Sequence, residues 1–176
     1  MLKLITVREI KESVKEGYTV WVATRYPGKL QDLIDNKTVF LKQDLSPSKE
    51  LLKVIEKLKE TGSWNQESFQ EYFVPSFIKE TLQSPLKDVL NEAFVYSKNN
   101  KLAIACFCED KNMCHTSVIE GLLQAVGSET DGTNYSSYWL IYRMMKIGTY
   151  KEVIPPYKKF IKNEPIKQTV EQNKLF

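Results

Sequence analysis

Leu102-Ala-Ile-Ala-Cys106-Phe-Cys108-Glu-Asp-Lys-Asn-Met-Cys114-His115 is the stretch on which the reading of this chain turns. Its first five residues form an unbroken apolar run, the length of a buried strand and too short for a buried helix. From Val118 to Val126 apolar residues recur at helical spacing, so a helix opens near Cys114. Open α/β sheets bind ligands just past the carboxyl ends of their strands, where such a strand runs into a helix. All three cysteines and the only histidine of the 176 residues fall inside this stretch. The segment that points to the fold therefore also points to a site.

Working outward, Tyr18–Ala23 is β-branched and aromatic and reads as a buried strand, and Thr38–Lys42 as a second short one. Thr6-Val-Arg-Glu9 is a capping box, so the first helix is expected to start at Thr6 and to end at Gly17. Ser48 is a good N-cap for a helix whose stripe is Leu51, Leu52, Ile55 and Leu58, stopped by Gly62. Trp64, Phe69, Tyr72 and Phe73 follow at partly helical spacing before Pro75, and read as core. Pro85 opens a helix to about Lys98 with Leu86, Val89, Leu90 and Phe94 facing in. An aromatic helix runs from Tyr135 to about Lys146, and Gly148–Ile154 reads as a last strand ended by Pro155-Pro156. Helices separate most strands, which predicts an α/β fold: one compact layered domain over residues 1–150, with a small, mostly parallel sheet flanked by helices. Residues 151–176 form a basic C-terminal extension. There is no internal repeat, and the strand order is not legible.

Apolar residues at 42% and charged residues at 27% are ordinary for a soluble globular protein. No apolar run approaches the roughly 18 residues of a membrane span, and the charged start Met1-Leu-Lys-Leu-Ile-Thr-Val-Arg8 does not read as a secretory signal. An odd cysteine count argues against a closed disulfide framework. The expected compartment is cytoplasmic, with thiols reduced or metal-bound. The net charge of +3 gathers in the tail, where Lys151, Lys158, Lys159, Lys162, Lys167 and Lys174 face Glu152, Glu164 and Glu171. A charge this small permits an anionic ligand without demanding nucleic acid; the bland reading of the tail is a solvated surface.

Residues two apart on a strand share a face, so Cys106 and Cys108 are expected to be neighbours. With Cys114 and His115 they make an arithmetically complete zinc set. The spacing counts against zinc, because Cys114 and His115 are adjacent and no cysteine pair has the usual gap. Alternatively, the helix start is an anion site, with Thr116 and Ser117 adding hydroxyls and Lys111 a cation. The same field favours the Cys114 thiolate, and His115 can then act as acid or base. A phosphatase loop is excluded, since the residue that would have to be arginine is Cys114. Cys106, in its apolar strand, reads as packing. Asp110 and Glu109 can orient His115, or are simply solvated. Tyr135, Tyr138, Trp139, Tyr142, Arg143 and Lys146 could stack on unpaired bases, but core packing is the favoured reading.

The segment from Leu102 to Leu123 resembles the C-terminal signature of the family called domain of unknown function 488. There an apolar strand meets a small residue or cysteine, an acidic turn, and a cysteine–histidine or asparagine–histidine step that opens a helix. Ala23-Thr-Arg25-Tyr-Pro27 is similar to that family's strand-end arginine, Leu45-Ser-Pro-Ser-Lys-Glu-Leu51 to its proline–serine step, and Trp64, Phe69 and Tyr72 to its aromatic helix. The resemblance covers about residues 18–127. Thr116 departs from it, since many members carry arginine there. The resemblance implies a compact α/β fold in which Arg25 and the Cys106–His115 loop meet at one sheet edge, with Arg25 clamping a phosphate or carboxylate. The bland reading of Arg25 is a surface ion pair.

Three function classes follow. One is a small enzyme on a phosphorylated or nucleotide-like ligand, with Cys108 or Cys114 as nucleophile or redox thiol and His115 as acid–base. Its ligand would be bound by Arg25, Asp110, Lys111, Thr116 and Ser117, and no cofactor would be needed. The second is a nucleotide- or nucleic-acid-binding protein using the same pocket, and the third a zinc module of Cys106, Cys108, Cys114 and His115. The expected partner is a small anionic ligand, with nucleic acid as an alternative and no membrane.

Overall fold

The structure, a computed structural model, describes residues 1–130, 136–148, 154 and 156–161. Its centre is the apolar run of the sequence. Leu102–Cys106 (here β4) is buried along its whole length, because both of its edges are paired and both of its faces covered. On one side lies β1, Leu2–Thr6, in parallel register from Leu2↔Leu102 to Thr6↔Cys106. On the other lie β2, Thr19–Val22, and then β3, Val39–Leu41. All four strands are parallel, in the order β1-β4-β2-β3.

The helices make two unequal layers. Ile10–Lys15 (α1) covers one face, where Ile10 and Tyr18 pack on Val20, Val22, Ala103 and Ala105. The other face is thicker. Leu102 and Ile104 pack under Lys49–Glu60 (α2), Gln66–Ser68 (α3), Val74–Thr81 (α4), Leu86–Asn99 (α5) and His115–Ala125 (α6), with Ser136–Lys146 (α7) outside them. The helix caps follow their chemistry. Ser48 Oγ accepts from the Leu51 N–H at 3.1 Å to start α2, and Gly62 ends it in the left-handed region at φ +66°.

Three expectations need correction or closure. The chain opens with a strand rather than with a helix at Thr6. Thr6 closes β1, and its N–H and hydroxyl donate to Glu9 Oε2 at 2.6 and 2.8 Å, so the capping box starts a short 3-10 turn, Val7–Glu9, that leads into α1. The aromatic segment runs on through Pro75, which sits in the first turn of α4. The π-helical turn Phe69–Phe73 joins α3 to α4, so that Phe69, Phe73 and Phe77 stack at 5.2 and 5.6 Å. The packing reading of the second aromatic helix holds: Tyr138 is buried, and Ile141, Tyr142 and Met145 lie against the core. Residues 149–153 of the expected strand Gly148–Ile154, Tyr135, and most of the basic extension, including Lys151, Lys162, Lys167 and Lys174, lie outside the described residues. Among the described residues no helix is long and apolar enough to cross a membrane.

Candidate functional site

Two neighbouring strands deliver the site. β2 continues one residue beyond its regular pairing, with the Ala23 N–H donating to the Ala105 carbonyl at 2.9 Å. Arg25 therefore leaves β2 beside the Cys106–Cys108 end of β4. Its guanidinium donates to the Pro47 carbonyl from Nε at 3.3 Å and from Nη2 at 3.0 Å, and to the Ser46 carbonyl at 3.4 Å. Nη1 takes no part in these bonds. Among the described residues Arg25 forms no ion pair, so it is braced against a loop rather than neutralised.

Between these strand ends and the first turns of α2 opens a cleft of about 400 Å³. Cys106, Phe107, Cys108 and His115 form its floor and one wall. Arg25 and Tyr26 line another side, and Lys49, Lys53 and Glu56 project from α2. Three cations against one carboxylate give the mouth a positive field.

At the floor, sulfur and imidazole meet. Cys106 Sγ lies 3.6 Å from Cys108 Sγ and 3.9 Å from His115 Nδ1. Cys114 Sγ approaches the same Nδ1 at 3.7 Å and the Thr116 hydroxyl at 3.1 Å. The His115 ring stands edge-on to Phe77 at 5.8 Å, which fixes its orientation and turns Nδ1 towards the sulfurs. His115 Nε2 is buried with no hydrogen-bond partner among the described residues.

These contacts divide charge unevenly. Hydrogen bonds from Cys108 and Cys114, helped by His115, overcome burial and hold the Cys106 thiol far below the ordinary thiol range. The same bonds to Cys106 and Cys108, together with burial, push Cys114 well above it. Burial works against the charged form of His115, but its bonds to Cys106 and Cys108 and their charge outweigh it, raising the imidazole to about 9. The unpaired Nε2 opposes this, since a buried N–H without an acceptor costs about 1–3 kcal/mol. The arrangement the geometry favours is one thiolate, centred on Cys106, with the proton on His115 Nδ1.

Of the residues singled out in the sequence, Arg25, Cys108 and His115 line the cleft. Cys106, read as packing, is also on its floor, because the last residue of a strand projects past the cover of its neighbours. Cys114 does not line the cleft; it caps α6 from behind His115. Cys114 and His115 are buried, because α6 is enclosed from its first turn onwards. The anion site expected at that helix start is not assembled. Ser117 Oγ donates to the Cys114 carbonyl at 2.6 Å, and Thr116 is engaged with Cys114 Sγ. Lys111 Nζ donates to the Leu4 carbonyl at 2.9 Å and faces Glu9 at 3.8 Å, on the β1 side. Asp110 accepts from the Asn112 N–H at 2.9 Å and so caps the turn Lys111–Met113. Glu109 pairs with Arg8 at 2.8 Å in the open. Sequence reasoning missed Tyr26, Phe107, Lys49 and Lys53. The available signal was the placing of Lys49, Lys53 and Glu56 at helical spacing just after the Ser48 cap.

Cys106, Cys114 and His115 each offer one donor atom, and these atoms lie within 4.8 Å of one another, so the group could hold a metal ion. Zn–S bonds near 2.3 Å and Zn–N bonds near 2.0–2.1 Å imply tetrahedral edges of about 3.5–3.8 Å. The contacts at 3.6, 3.7 and 3.9 Å come close to that. Adjacency of Cys114 and His115 is no obstacle here, because Nδ1, the nearer ring nitrogen, faces the Cys114 sulfur.

A family model described as DUF488-N3a, "Active DUF488-N3 subclade", matches residues 2–127. The match takes in β1 and α1, which the sequence resemblance had left out. No curated protein and no solved structure gives a match.

Proposed function

The chain belongs to the DUF488 family, and for this member we propose a small enzyme that acts on a phosphorylated or nucleotide-like ligand at the cleft. One observation carries the reading: a sulfur–imidazole contact of 3.9 Å on the floor of a cleft whose mouth holds Arg25, Lys49 and Lys53. The cations hold the anionic group. The thiolate of the Cys106–Cys108 pair supplies the electron pair, and His115 Nδ1 supplies the proton that a leaving group takes. The word "active" in the description of the matched subclade agrees with a working centre. The test is iodoacetamide labelling of reduced, metal-free protein with and without inorganic pyrophosphate, read by peptide mapping. The Cys106–Cys108 peptide is expected to label about tenfold faster than an ordinary thiol at pH 7 and to be protected by pyrophosphate. Ordinary labelling without protection contradicts the reading.

A second reading is favoured by three donor atoms that lie within 4.8 Å of one another: Cys106, Cys114 and His115, with Cys108 beside Cys106, hold a zinc ion, and the sulfurs are ligands rather than nucleophiles. Metal content of the purified protein separates the two. One zinc per chain that survives dialysis supports the second reading, and zinc-free protein with fast-labelling cysteines supports the first.

A further inference from the structure

Large aromatic side chains go inside unless something holds them out. Among the described residues, Tyr26 at 66% and Phe107 at 48% exposure are the aromatic members of the exposed large hydrophobics, and both line the same cleft. We propose that Tyr26 and Phe107 form a stacking clamp for a nucleobase, so that the ligand of this cleft is a nucleotide rather than a bare phosphoester. This inference rests on the anion-holding reading above.

The topology brings the two residues to one end of the sheet and into one cleft lining. β2 and β4 are hydrogen-bonded neighbours with Val22 opposite Ala105, and such strands run about 4.8 Å apart. Phe107 lies two residues past Ala105 and Tyr26 four past Val22, so both rings leave the sheet at the same end. The backbone carrying Tyr26 is pinned while its ring stays free. The Tyr26 carbonyl accepts from the Thr24 hydroxyl at 3.4 Å, the Arg25 carbonyl accepts from Gln43 Nε2 at 3.1 Å, and the Arg25 side chain is braced on Ser46 and Pro47. A fixed loop with a free aromatic face is preorganised for stacking.

The rest of the cleft completes a nucleotide's inventory. Arg25, Lys49 and Lys53 match a phosphate. Glu56, the one carboxylate of the lining, is an acceptor for sugar hydroxyls. The volume of about 400 Å³ is in the range of small-molecule pockets. The same chemistry could arrive as a free mononucleotide or as an unpaired nucleotide of a strand, and the clamp treats the two alike.

The experiment is calorimetric titration of the reduced full-length chain with inorganic phosphate, ribose 5-phosphate, AMP, UMP and a short oligothymidylate. Stacking is worth about 1–3 kcal/mol per base, so AMP and UMP are expected to bind about five- to 150-fold tighter than ribose 5-phosphate. Tyr26→Ala and Phe107→Ala should each remove most of that margin and leave ribose 5-phosphate binding unchanged, while Tyr26→Phe keeps it. Tighter binding of the oligonucleotide than of UMP identifies a strand as the source, and the reverse identifies a free nucleotide; both sustain the clamp. If ribose 5-phosphate binds as tightly as AMP and UMP, the clamp is overturned and the anion reading stands. If none of the five probes binds, both are overturned.

Discussion

Cys106 and Cys114 are the same residue type, eight positions apart, and both sulfurs face Nδ1 of one imidazole. Cys106 ends a strand and looks into a cation-rimmed cleft; Cys114 caps a helix and looks into the core. Around Cys114 the groups are already engaged: Ser117 on its carbonyl and Thr116 on its sulfur. Around Cys106 the partners are another thiol and the imidazole, and the remaining space is open to a ligand. One thiol is held down and the other pushed up. What separates structure from chemistry here is whether the neighbours complete a residue's hydrogen bonding or leave part of it for something else.

The comparison breaks most directly at His115, which both sulfurs touch. His115→Ala removes one support of the Cys106 thiolate while the bonds from Cys108 and Cys114 remain, and should slow iodoacetamide labelling of Cys106 at pH 7 about tenfold. Arg25→Ala strikes only the cleft side. Losing a charged donor should weaken inorganic pyrophosphate about tenfold or more by calorimetry, and Arg25→Lys should not restore it, because a point charge cannot make the forked contact with Ser46 and Pro47. Ser117→Ala strikes only the other side. It should lower unfolding free energy by about 1 kcal/mol in urea and leave labelling and pyrophosphate affinity unchanged.

The smallest effect sharpens a boundary of the fold. Glu9 is held below the ordinary carboxylate range, first by the Thr6 N–H. A lowered folded-state pKa means that its contribution is present above the unfolded value of 4.5 and fades as pH falls through the folded one. Glu9→Gln should therefore lower the urea midpoint slightly at pH 7, and the gap to the native chain should close as the pH falls through the folded-state value.

The two sides also differ in how legible they were. β4 could be read because five apolar residues in a row leave few alternatives, and the α2 start because Ser48 carries its own cap. β1 was hidden: its most buried residues, Leu2 and Ile5, are three apart and break the two-residue alternation of a half-buried strand. Strand order was hidden as well, since parallel pairing joins residues such as Thr6 and Cys106 that are far apart in sequence. At the cleft, Arg25, Cys108 and His115 stood out in the sequence because their types are rare or sharply placed. Cys106 is buried, as its apolar neighbours suggested, but it also borders the cleft, because a strand's end position is not visible in its composition. Lys111, Thr116 and Ser117 were over-read because closeness to a helix start was taken for closeness to a ligand, whereas the local backbone uses those groups itself. Lys49, Lys53, Tyr26 and Phe107 look like ordinary surface until the cleft gathers them.

The most direct measurement is the pH profile of iodoacetamide labelling, cysteine by cysteine, on reduced and metal-free protein. The account predicts that the Cys106–Cys108 peptide labels with a half-point well below 8.5, and that Cys114 labels last and only at higher pH. Equal half-points near 8.5 for all three cysteines would contradict it.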